Sequence, residues 1–120
     1  MNKRDYRKEA LDSLLSAKAW FDCMFDQSNE DAKTNHYGVF LVNSYYSLRE
    51  RINDIINNIR TITESDIDVQ IRTCETVMEM LEEDILNGEE IAKPYYNFFN
   101  DMKLNLKQAK WSLAFERKQA

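Results

Sequence analysis

A chain of 120 residues, 43% of them apolar, has material for one core, and folding is expected to bury roughly 65% of the surface that its unfolded form exposes. Two glycines and one proline leave little for strands joined by tight turns, which points to an all-α domain covering residues 1–120. A net charge of −5 and a sequence pI near 4.9 argue against nucleic-acid binding as the main activity, and the longest unbroken apolar stretch, residues 39–42, is far too short to span a membrane.

The opening residues are basic, but no apolar run follows them, so no secretory signal is expected and the protein is read as cytoplasmic. Cys23 and Cys74 are too few and too far apart for a disulfide framework or a metal knuckle and are read as reduced thiols. The many Asn, Lys and Ile residues fit an AT-rich coding genome, such as that of a low-GC bacterium or its phage.

The first predicted helix covers residues 4–27, with Leu11, Leu14, Lys18, Phe21 and Phe25 in heptad phase and Lys18 extending its stem along the seam. A polar loop follows at 28–35. The second helix, 36–62, carries Leu41, Tyr45, Leu48, Ile52, Ile55, Ile59 and Ile62 at alternating steps of three and four, a spacing that belongs to helices and not to strands. Thr63 and Ser65 each stand three residues before an aspartate, as an N-cap does at a helix start. The third helix, 66–87, has Ile67, Ile71, Cys74, Met78, Leu81 and Ile85 in its seam, and Gly88 supplies its C-terminal cap. Pro94 suits the first turn of the fourth helix, 93–117, whose seam is Tyr95, Phe99, Met102, Leu106, Ala109 and Leu113.

Turns this short make consecutive helices antiparallel, and four single-striped helices close most simply as an antiparallel up-down-up-down four-helix bundle. Folding the third helix back on the fourth about residue 90 sets Ile71 beside Ala109, Met78 beside Met102 and Ile85 beside Tyr95. The same operation about Thr63 sets Ile55 beside Ile71 and Leu48 beside Met78.

Charge is segregated by helix. Between Glu64 and Glu90 there are ten acidic residues and one basic one, whereas residues 91–120 carry six basic and two acidic. Asp68, Glu75 and Glu82 flank the third seam where Lys103, Lys110 and Arg117 flank the fourth, so the two rows are complementary and specify neighbours. Glu79, Glu83 and Asp84 point outward, with Glu89 and Glu90 at the next turn, and the carboxylates in the last helical turn oppose the helix dipole. They form a candidate anionic face for a basic groove.

On the fourth helix Leu104 and Trp111 fall on the side away from the seam with Phe115 beside them, a candidate contact patch. Aromatic residues gather at the opposite end of the bundle: Phe21, Phe25, Tyr37, Phe40, Tyr45, Tyr46, Tyr95, Tyr96, Phe98 and Phe99, as a packed core or a pocket.

No catalytic set is found. His36 has no second ligand at metal spacing, and no glycine-rich phosphate loop, acidic calcium loop or nucleophile-base pair occurs. The expected function is therefore non-enzymatic and cofactor-free: an intracellular inhibitor, adaptor or immunity-type factor that binds another protein through Leu104, Trp111 and Phe115, with a homodimer as one form of that contact. The alternative is an acidic, phage-type anti-defence inhibitor whose Glu79, Glu83, Asp84, Glu89 and Glu90 occupy the nucleic-acid groove of a nuclease.

Overall fold

The computed structural model describes residues 4–34 and 36–119 and, within the second helix, omits the side chains of residues 41, 42 and 44–46. The expectations for Leu41, Tyr45 and Tyr46 therefore lie outside the described residues. Four helices follow one another: α1 (Tyr6–Asp31), α2 (His36–Asn57), α3 (Glu64–Leu86) and α4 (Ala92–Gln119), and no strand occurs among the described residues.

Local chemistry sets each boundary. The Asp5 carboxylate caps α1 by accepting from the Lys8 amide at 3.0 Å. The helix then runs beyond the expected end at residue 27, because Ser28 turns inward, fully buried, and its hydroxyl donates to the Met24 carbonyl at 2.6 Å. The link to α2 is correspondingly tight. A methyl group at Gly38 would lie 2.4 Å from the Ala32 nitrogen and 2.6 Å from the Asp31 carbonyl carbon, so only glycine lets α2 start there.

The regular part of α2 stops at Asn57, five residues earlier than expected. The Asn58 side chain donates to the Asp54 carbonyl at 2.7 Å, and the Ile59 and Ile62 carbonyls accept from the Arg7 guanidinium at 3.0 and 2.7 Å. A cation from α1 thus satisfies carbonyls that another helical turn would have used. Thr63 is the N-cap of α3, with its amide donating to the Asp66 carboxylate at 2.8 Å, so α3 begins two residues earlier than expected. Gly88, at φ 94°, ends it in the left-handed conformation.

The expected seams of α3 and α4 are buried from Ile67 to Leu81 and from Tyr95 to Leu113, and Leu48, Ile52, Ile55 and Ile62 are buried on the α2 side. The facing of α1 differs from the expectation. Its buried stripe is Ala10, Leu14, Ala17, Phe21 and Ser28, while Leu11, Lys18 and Phe25 are half-buried at its flanks. Small residues let a neighbouring backbone come close, and this is the helix that packs broadly on both α2 and α4.

α4 packs on α1 and α3, α1 packs on α2, and α2 and α3 touch only sparsely, although they are consecutive in the chain. Polar side chains occupy that seam: Arg51, Asp54, Asn58 and Gln70 line a groove of about 400 Å³. The molecule measures 54 × 25 × 21 Å with a radius of gyration of 15.7 Å, longer than the roughly 13.6 Å of an average globule of this length.

Candidate functional site

Of the charge rows expected along α3 and α4, Asp68 and Lys110 meet, whereas Arg117 turns to Glu64 outside the expected row, and Glu75, Glu82 and Lys103 join no ion pair among the described residues. Lys110 pairs with Asp68 at 2.7 Å and Arg117 with Glu64 at 2.6 Å, and the Glu64 hydrogen bond raises the basicity of the Arg117 guanidinium. Behind this row Cys74 is buried, and loss of water around it pushes its thiol from 9.0 up to about 12.

Outside the row the two helices leave a groove of about 600 Å³ with Ile71 at its floor, Leu104 and Trp111 on its α4 wall, and Arg72, Glu75, Lys107 and Gln108 among its rim residues. Trp111 is 70% exposed and Leu104 50%. Phe115, 38% exposed, continues the patch: its ring meets Trp111 edge-on at 5.6 Å and stacks on Tyr6 of α1 at 6.2 Å. The three apolar residues singled out from the sequence therefore lie on one face. Tyr6 was not foreseen. Tyr6 stands before the first apolar repeat of α1, and only the return of α4 brings Phe115 to it.

The anionic residues are dispersed in role. Asp84 is half-buried and accepts the Tyr37 phenol at 2.7 Å, and Glu90 pairs with Lys93 at 2.7 Å. Burial, helped by that carboxylate, pushes the phenol from 10.0 up to about 12. Glu79, Glu83 and Glu89 are exposed, and no ion pair among the described residues involves them.

The aromatic end is mostly packed. Phe21 meets Phe98 at 5.6 Å, Phe98 meets Phe99 at 5.1 Å, and Tyr37 lies 5.8 Å from Tyr95, whose hydroxyl donates to Asp31. One open space there, of about 130 Å³, is bounded by His36, Phe40, Val77 and Met80 among others.

Among the described residues no group of three or more His, Cys, Asp or Glu side chains could hold a metal ion, and no helix is long and apolar enough to cross a membrane. No family model matches the chain, and no curated protein or solved structure is similar to it.

Proposed function

We propose that this chain is a non-enzymatic protein-protein interaction module, an inhibitor, adaptor or immunity-type factor, carried on an antiparallel up-down-up-down bundle. One observation carries the reading: Trp111 stands 70% exposed between Leu104 and Phe115 at the mouth of the α3/α4 groove. Large aromatic residues in such a position anchor protein contacts far more often than they serve solubility. The antiparallel arrangement has support at both ends of the molecule. Arg7 near the start of α1 pairs with Glu116 near the end of α4 at 2.8 Å, and Tyr37 at the start of α2 bonds to Asp84 near the end of α3.

Partner capture followed by substitution tests the reading. Trp111→Ala is expected to weaken binding at least tenfold, or about 1.4 kcal/mol, with little sensitivity to salt, whereas unchanged capture would end it. The acidic reading keeps a narrower base in the exposed and unpaired Glu79, Glu83 and Glu89. It predicts instead binding to a basic nuclease groove that weakens steeply with salt and is lost on Glu83→Lys.

A further inference from the structure

The outer side of α3 presents Val69, Arg72, Thr76, Glu79, Glu83 and Leu86, all exposed, at alternating steps of three and four residues. This is a second heptad stripe, turned away from the core. It ends in Leu86, 81% exposed and the barest of the large apolar side chains described. Its charges are ordered along the helix, with Arg72 at the groove end and Glu79 and Glu83 toward the other, and none of the three joins an ion pair among the described residues.

The stripe is complementary to itself when reversed. A twofold axis perpendicular to α3 and outside its stripe, at the level between Val77 and Met78, exchanges the levels of Arg72 and Glu83, of Thr76 and Glu79, and of Val69 and Leu86. Two antiparallel copies therefore meet in layers that set each arginine against a glutamate and each valine against a leucine. The same axis addresses the groove. The Lys110–Asp68 and Arg117–Glu64 ion pairs bracket Trp111 between the levels of Ile67 and Gln70, beside the level of Val69 that receives Leu86 of the second copy. Lys107, level with Ile71, adds a second cation that joins no ion pair among the described residues, opposite the incoming Glu83.

We propose that the chain forms a closed antiparallel homodimer in which the outer stripe of α3 packs on its own copy and each Leu86 enters the α3/α4 groove of the other beside Trp111. This rests on the reading of that groove as an interface, and it names the occupant as a second copy of the chain. The twofold arrangement uses both ends of the stripe in both copies and stops at two subunits. Basic and acidic ends meeting head to tail would instead leave a free end for further addition.

Light scattering and sedimentation equilibrium on the full chain are expected to give twice the 14.3 kDa of one chain. Arg72→Glu and Glu83→Arg, both at exposed positions and checked for unchanged helix content, should each weaken the dimer by about tenfold, and the double variant should return to within about threefold of the original. Leu86→Ser should weaken it as well and, in a Trp20→Phe background, shift Trp111 emission to the red, because the indole regains water. A monomer at every concentration up to about 0.1 mM overturns the proposal, as does a dimer indifferent to Arg72→Glu or a double variant no tighter than the single ones. A monomeric chain that still loses a captured partner on Trp111→Ala overturns the self-association alone and leaves the wider reading of the groove standing.

Discussion

The two ends of the molecule are fastened by opposite chemistries. At one end the Arg7 guanidinium reaches from α1 to the Ile59 and Ile62 carbonyls beyond α2 and, at 2.8 Å, to the Glu116 carboxylate on α4. At the other end two phenols, Tyr37 and Tyr95, donate to the carboxylates Asp84 and Asp31, over a floor of Phe21, Phe98 and Phe99. The cationic end joins helices through backbone carbonyls that helix termini leave over, and the aromatic end joins them through buried area. The contrast accounts for the sparse contact between α2 and α3. Tyr37 and Asp84 tie these helices at one end and the 58–63 turn holds them at the other, so the stretch between need not be closely packed.

The comparison can be broken most forcefully at the aromatic floor. Phe99→Ala removes a ring that is 1% exposed and should cost about 3–5 kcal/mol in denaturant unfolding, the largest effect expected of any substitution considered. Next comes Arg7→Met, which keeps the stem but leaves two carbonyls without their donor. About 1.5–3 kcal/mol is expected, together with earlier hydrogen exchange in residues 58–62 than in α3.

Tyr37→Phe sharpens the contrast at smaller cost, about 0.5–1.5 kcal/mol at neutral pH for one hydrogen bond. The distinctive signature is its pH dependence. The folded phenol stays protonated up to about 12 while the unfolded one ionises near 10.0, so the contribution is complete below pH 10 and is lost as pH rises through 12. The buried Cys74 thiol, raised from 9.0 to about 12, acts in the same sense. Unfolding titrations should therefore show stability falling above about pH 9 in the parent and falling less in Tyr37→Phe, and equal slopes would show that the phenol is not held by Asp84.

Much of this architecture is legible along the chain. Ile67 to Ile85 and Tyr95 to Leu113 carry large apolar side chains at helical spacing, and Asp68 and Lys110 carry the charge that sets α3 beside α4. The outward patch follows from the same count, since Leu104 and Trp111 sit opposite a seam whose position is certain. Other features were not legible in that way. The buried stripe of α1 consists largely of Ala10, Ala17 and Ser28, whose side chains give no apolar signal to compete with Leu11 and Phe25. Gly38 could be recognised as a close approach only once the end of α1 was in place beside it. Asp84 stood in the sequence as one more outward carboxylate until α2 brought a phenol to it.

Periodicity by itself determined that the chain is helical, where α3 and α4 begin and end to within two residues, and most of their inward-facing residues, Ile85 being only half-buried and Gln70, Ala92 and Phe98 joining the buried set, because a helix buries a stripe and the stripe repeats with the backbone. Only the tertiary structure decided how close each pair of helices comes, which face α1 turns inward, and which carboxylates are left facing water. Those outcomes depend on side chains from two helices at once. No repeat within one of them encodes the size or charge of what the other presents.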